Sequence, residues 1–217
     1  LKESGHGEIF FKMEHFAINI GRQIGSGGRE IGTKLAEKFN IGYYDRELIT
    51  IAARESGISK EFFEKADEAS TFSIVGGILN LGNTNNYQSS NFLYSESLFK
   101  IQSDVIQWLA LRHDCVFVGR CADYVLRNSP RCLNVFISAD IESRINRIVN
   151  NYKMTSEDKA MDFIQKTDKK RASYYNYYTN KQWGAASSYH VCINSSEFGV
   201  EKTVDFIAEF AKEKLGL

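Results

Sequence analysis

The run Gly21-Arg22-Gln23-Ile24-Gly25-Ser26-Gly27-Gly28-Arg29-Glu30-Ile31-Gly32 follows the apolar stretch Phe16-Ala17-Ile18-Asn19-Ile20, and it narrows the choice of fold more than any other part of the chain. An apolar strand, a glycine-rich turn and a helical pattern through Leu35, Ala36 and Phe39 leave backbone N–H groups uncovered at a helix N-terminus, a natural cradle for phosphate. A tight strand-to-helix turn would also use these glycines, but the strand before and the helix after favour anion binding. A dinucleotide fingerprint fits poorly: Gly25-Ser26-Gly27-Gly28 is followed by Gly32 rather than by glycine at the third step, although Asp45 lies near the end of a second strand. A Walker-type loop fits with a departure. Gly28 takes the position of its lysine, and Arg29 and Glu30 stand where the small residue and the hydroxyl would follow.

Short β-rich runs at Phe16 to Ile20, Ile41 to Tyr44, Cys115 to Val118, Leu133 to Ile137 and Tyr189 to Ile193 alternate with longer helical patterns. The helical segments are Arg29 to Phe39, Arg46 to Glu55, Tyr94 to Leu111, Ile141 to Val149 and Val200 to Leu215. Buried strands separated by helices predict an α/β fold with a parallel sheet covered on both faces. At 217 residues and 43% hydrophobic residues, one domain with insertions is expected rather than two domains. Lys+Arg and Asp+Glu both total 27, so the net charge gives no reason to expect a nucleic-acid polymer or an anionic membrane as partner. Cys115, Cys121, Cys132 and Cys192 form no CxxC pair and have no zinc-site spacing; reduced, mostly buried thiols are expected. No apolar segment approaches the ~18 residues of a membrane span, and no signal-peptide pattern opens the chain, so a cytoplasmic setting is expected.

Two stretches break the alternation. Glu68 to Asn91, rich in glycine, asparagine and serine pairs, reads as a long loop or lid. From Thr155-Ser156-Glu157-Asp158, a capping-box pattern, a polar helix runs through Lys166, Lys169, Lys170 and Arg171 to Tyr174, Tyr175, Tyr177 and Tyr178.

Four features, in order along the chain, resemble the cytidylate kinases and cytidylate kinase-like proteins. Gly25-Ser26-Gly27 looks like their Gly-Ser-Gly phosphate loop, and Tyr43-Tyr44-Asp45-Arg46 like the strand end that opens their monophosphate site. Gly119-Arg120 after Val116-Phe117-Val118 resembles their Gly-Arg-Asp motif, with Cys121 in place of the Asp. The stretch from Val135 to Arg144 resembles the strand and arginine-bearing helix that lead into their lid. The resemblance covers the chain from about Phe16 onward. It implies a single P-loop NTPase-type domain over 1–217, a three-layer α/β/α arrangement around a five-stranded parallel sheet. Its core would span about 13–45, 94–150 and 185–217, its acceptor-binding insertion about 46–93 and its helical lid about 151–184.

It also implies ATP-dependent phosphoryl transfer with magnesium to CMP or a related small acceptor. Such transfer needs positioning and charge neutralisation more than covalent chemistry, so the arginines become the residues of interest. Arg120 would reach the acceptor phosphate, or else form a surface ion pair. Arg144 and Arg147, three apart on one helix face, and Arg171 with Lys169 and Lys170 would clamp the transferring group, or else form solvated helix faces. Asp45 would bond a ribose or base edge and Arg46 the monophosphate; Asp45 equally reads as the N-cap of the helix that follows. Tyr174 to Tyr178 would stack on a base or simply pack. The lost loop lysine removes a charge-assisted contact worth ~1.5–3 kcal/mol. Arg22 or Arg29 is expected to supply the charge, and Glu30 or Ser26 to orient magnesium, with Glu30 alternatively complementing the helix dipole. A nucleotide-binding protein with little transfer activity, or a P-loop kinase for a non-nucleotide acceptor, are the alternatives.

Overall fold

The computed structural model describes residues 14–55, 57, 90–154 and 156–217. The leading segment and most of the expected acceptor insertion, including 68–89 of the long loop, lie outside the described residues.

In chain order the elements are β1 (Ala17–Arg22), α1 (Gly28–Phe39), β2 (Gly42–Tyr44), α2 (Arg46–Glu55), α3 (Ser90–Ala110), β3 (Cys115–Val118), the single turn α4 (Ala122–Val125), β4 (Cys132–Ser138), α5 (Ile141–Tyr152), α6 (Glu157–Thr179), β5 (Val191–Asn194) and α7 (Ser195–Leu215). The five strands form one sheet in the order β2-β3-β1-β4-β5, and every pairing is parallel. Parallel neighbours cannot be joined by tight turns, so each crossover carries a helix over a face of the sheet. This is the expected P-loop NTPase type of α/β fold.

Strand periodicity decides what each face holds. Ile18, Ile20, Val116, Val118, Leu133, Val135 and Ile137 point to one side, against Ile31 and Leu35 of α1 and Val204, Ile207 and Ala208 of α7. Ala17, Cys115, Phe117 and Cys132 point to the other, against Ile49 and Ala53 of α2 and Val105, Ile106 and Leu109 of α3. On that second face Asn19 donates its amide to Asn134 at 2.8 Å, a polar tie between neighbouring strands.

Several boundaries differ from the sequence reading. α3 begins at Ser90 rather than Tyr94, so the end of the long loop is already helical. α7 begins at Ser195, but Gly199 (φ 73, ψ 174) breaks it, and continuous helix starts at the expected Val200. Ser156 caps α6 by accepting the Lys159 N–H at 3.3 Å; the residue at that N3 position is a lysine, so no carboxylate returns the bond.

The chain leaves β1 toward one edge and reaches β4 on the other side, which places the reversal of strand order at β1. In open parallel sheets a ligand crevice forms at the carboxyl ends of the strands at such a point. Gln23 to Gly27, Asp45-Arg46, Gly119-Arg120 and Ala139-Asp140 all follow strand ends at this edge.

Candidate active site

The loop between β1 and α1 is Gln23-Ile24-Gly25-Ser26-Gly27. Gly25 (φ 77) and Gly27 (φ 76) occupy the left-handed region. A Cβ on Gly25 would also meet the Arg144 carbonyl at 2.9 Å. The loop's carbonyls at Gln23, Ile24, Ser26 and Gly27 and its first N–H groups are taken up by the protein, and the Ser26 N–H turns back to Gln23 O at 3.4 Å. Gln23 N–H donates to Ile137 O (3.0 Å) and Ile24 N–H to Asp168 Oδ1 (2.9 Å). Ile24 O accepts from Arg144 Nε (2.8 Å), and Ser26 O from the Ser195 hydroxyl (2.7 Å). By contrast, the N–H groups of Gly25, Gly27, Gly28, Arg29 and Glu30 meet no acceptor among the described residues. Uncovered donors at the positive end of α1 are what an anion needs.

Arg22 explains why position 28 is glycine. A Cβ there would sit 2.5 Å from Arg22 Cβ and 3.0 Å from its Cγ. The Arg22 stem therefore crosses the space where a Walker lysine would start, and its guanidinium lies over Gly119, where a Cβ would overlap Nη1. Burial, then the nearby Arg171 and Arg120, push the Arg22 pKa down to about 9, with Tyr43 and Asp45 only partly offsetting them. It remains a cation at neutral pH, held at a cost that an anion would relieve.

Arg120 reaches this cluster through an unusual turn. Gly119 (φ 85), Arg120 (φ 56) and Cys121 (φ 54) are left-handed in succession, a conformation costing roughly 1–2 kcal/mol at each non-glycine residue. It carries the Arg120 guanidinium to 5.0 Å from the Tyr174 ring centroid, a cation–π contact. Tyr174 in turn packs on Tyr178 and Phe99, so these rings back Arg120. Arg171 donates to Arg22 O at 3.1 Å, and its pKa is lowered by burial despite the nearby Asp168. Arg46 is lowered by burial and by Arg120. Among the described residues no carboxylate forms an ion pair with Arg22, Arg120 or Arg171.

The other arginines are paired. Arg29 Nη2 stands 2.7 Å from Asp45 Oδ2 and 3.6 Å from Glu47, and its side chain is 72% exposed. Burial opposes its charge, but Asp45 leads the interactions that raise its pKa. That Asp45 oxygen receives no well-directed hydrogen bond, so the contact is chiefly Coulombic. Asp45 Oδ1 caps α2, accepting the N–H groups of Glu47 (3.1 Å) and Leu48 (3.2 Å). Arg144, 6% exposed, pairs with Asp168. Arg147 pairs with Glu30 at 2.9 Å. Lys169 and Lys170 lie exposed on α6.

Of the expected magnesium ligands, the Ser26 hydroxyl donates inward to Gln23 O at 2.9 Å, and the Glu30 carboxylate faces Arg147. No group of three or more His, Cys, Asp or Glu residues suited to a metal occurs among the described residues. Cys121, where the Gly-Arg-Asp pattern has its acid, is buried, and its thiol is pushed up to about 12. The nearest acid is Asp123, which burial raises and which accepts the Tyr175 hydroxyl at 2.7 Å. Sequence reading missed Asp168 and Ser195. Asp168 carried one signal, a lone acid one turn before Arg171 in a basic run.

No helix among the described residues is long and apolar enough to cross a membrane. No curated protein matches the chain. Among solved structures, an uncharacterized protein from Eubacterium ventriosum is 26% identical, with 91% of this chain and 99% of that one covered and a TM-score of 0.68. TT1252 from Thermus thermophilus shares the fold at 13% identity, covering 91% of this chain and 97% of its own, with a TM-score of 0.52. A shikimate kinase from Bacteroides thetaiotaomicron aligns at 16% identity over 93% and 99% of the two chains, with a TM-score of 0.48. The sequence pattern of the cytidylate kinase-like family matches residues 17–197, from the first residue of β1 through the glycine-rich loop, the Arg120 turn, α6 and Ser195, and the chain therefore belongs to that family.

Proposed function

We propose that this protein transfers the γ-phosphoryl group of ATP to a small phosphate-bearing acceptor of the nucleoside monophosphate type, with CMP the first to test. One observation carries the reading: the free N–H groups of Gly25, Gly27, Gly28, Arg29 and Glu30 lie beside Arg22, Arg120 and Arg171, which have no carboxylate partners among the described residues. The loop N–H groups would hold the ATP phosphates. Arg22 would supply the charge that Gly28 lacks, while Arg120 and Arg46 would face the acceptor phosphate. Arg171 would stand between them. In transfer, an acceptor phosphate oxygen bonds to the γ-phosphorus, the bond to the β-phosphate oxygen breaks and ADP leaves. The guanidinium groups stabilise charge on the oxygens in flight.

An acceptor phosphate is already anionic and needs no general base. A hydroxyl acceptor would need one, yet of the acids beside the loop among the described residues Asp45 is committed to Arg29 and the α2 cap, and Asp168 to Arg144 and Ile24. This commitment favours the phosphate acceptor. Magnesium, when bound with ATP, neutralises charge on the β- and γ-phosphates and keeps several waters. Glu30, at the half-exposed rim of the loop, would hold it through water on exchanging Arg147 for the ion. Ser26 would contribute through the backbone it shapes.

The deciding experiment offers ATP and magnesium with a panel of nucleoside monophosphates and small hydroxylated compounds, read by ADP release. Turnover confined to monophosphates supports this reading. Turnover confined to hydroxyl acceptors overturns it, and clear ATP binding without any turnover assigns the protein a binding role instead.

A further inference from the structure

We infer that Asp168, on the lid helix, is a positioning residue that fixes the phosphate loop in its anion-binding form. This rests on the loop being an ATP-phosphate site. Asp168 Oδ1 accepts the Ile24 N–H at 2.9 Å, and its other oxygen pairs with Arg144. Arg144 Nε donates back to Ile24 O at 2.8 Å. One loop residue is thus gripped at both its N–H and its C=O by an acid and a base that also grip each other. The next residue is Gly25, whose left-handed backbone is pressed against the Arg144 main chain. The ring therefore orients the first of the free N–H groups. It also withdraws the Ile24 N–H from any ligand, as the Gln23 carbonyl does the Ser26 N–H, so that an anion meets the donors of Gly25 and of Gly27 to Glu30. One turn along the same helix, Arg171 holds Arg22 O. The lid helix therefore sets both the loop and the strand end that carries the unpaired arginine.

A buried ion pair is weak evidence of a stability role, because well-packed apolar replacements are often as stable, whereas loss of one partner strands the other charge. That asymmetry separates positioning from packing. D168A strands Arg144, and both melting temperature and ATP affinity are expected to fall. The double variant R144M/D168L removes both charges and is expected to regain the melting temperature. Its affinity for ATP and for inorganic tripolyphosphate stays down by about tenfold or more, as for other losses of an orienting partner. Its KM for ATP rises far more than its KM for the acceptor. Amide exchange at Ile24 to Ser26 accelerates even without nucleotide.

Calorimetric titration of wild type, D168A and R144M/D168L, with hydrogen exchange on the same samples, decides the matter. Recovery of both melting temperature and affinity in the double variant, or wild-type affinity in a folded D168A, overturns the inference. If the wild type binds neither ATP nor tripolyphosphate, the site reading and this inference fall together. If it binds ATP but phosphorylates no acceptor, only the transfer reading falls, and the affinities of the variants still decide the role of Asp168.

Discussion

The arginines around the phosphate loop fall into two sets, a paired flank and an unpaired one. Arg144 and Arg147 of α5 and Arg29 of α1 each meet a carboxylate: Asp168, Glu30 and Asp45. Arg22, Arg120 and Arg171 form no ion pair with a carboxylate among the described residues, and Arg22 feels the charge of both the others. Buried like charges are unfavourable, and the lowered pKa values of Arg22 and Arg171 record that cost, with burial as its largest part and the nearby Asp45 and Asp168 offsetting only some of it. On the proposed reading the same residue type serves as a brace where it is paired and as part of an anion site where it is not. Pairing, rather than the mere presence of a guanidinium, separates the two roles.

The largest effect is expected on the unpaired flank. R22M should lower kcat/KM for acceptor-dependent ADP release by about 10²–10³, the usual loss when one positioned group stabilising the transition state is removed. Its melting temperature should hold or rise, since a desolvated and repelled cation has gone. R147M tests the paired flank. Its partner is half exposed, so the pair is worth roughly 0–1 kcal/mol, and kcat/KM should fall by no more than about fivefold. Equal losses in the two variants, measured side by side, would erase the distinction between the flanks.

A middle-sized effect comes from restoring the Walker lysine. G28K places a Cβ 2.5 Å from Arg22 Cβ, so one side chain must yield. We expect a loss of ATP affinity of about tenfold or more from overpacking and displacement of Arg22. In R22A/G28K the clash is gone and the lysine stands where Arg22 had crossed, so part of the affinity should return. This non-additivity, read by a double-mutant cycle, is the signature of two residues competing for one space. Additive losses would show that Arg22 and position 28 act separately.

Much of this fold was legible because its causes are local. The β3 run was read to the residue, since four consecutive buried residues between breakers leave little choice. The bounds of α2 and the restart at Val200 followed from apolar spacing. Asp45 was legible as a cap for the same reason: its partners are two and three residues away. The flanks of the loop were not legible. Glu30 and Arg147 are 117 positions apart and Asp168 and Ile24 are 144 apart, and no periodicity announces which surface-like charge will find which partner. The triple left-handed turn at Gly119 to Cys121 was equally hidden, because only its glycine advertises a positive φ. The sequence reading chose the arginines by type and spacing and weighed an ion pair for Arg120 and solvated helix faces for Arg144, Arg147 and Arg171, without the means to name a partner.

The smallest expected effect tests whether either flank responds to the rest of the sheet. His190 lies just before β5, on the side opposite the loop. Its backbone N–H donates to Asn134 O at 2.8 Å, and its Nδ1 accepts the Asn134 N–H at 2.9 Å. Nδ1 can accept only when unprotonated, and burial, with Lys214 and Lys181, lowers the pKa of His190 below 6.5. Below pH 6.5 the unfolded chain therefore binds a proton that the native state refuses, and stability declines as pH falls toward the folded value. H190N keeps an acceptor beside the Asn134 N–H and cannot titrate, so its stability should decline less steeply from pH 6.5 downward. The side chain is largely exposed, which makes the difference small. ATP affinity should be the same in wild type and H190N across that range, because no contact links His190 to the loop. If affinity instead changes with His190 protonation, the unpaired arginines are tuned through β4, and the division between the two flanks extends beyond the residues that form them.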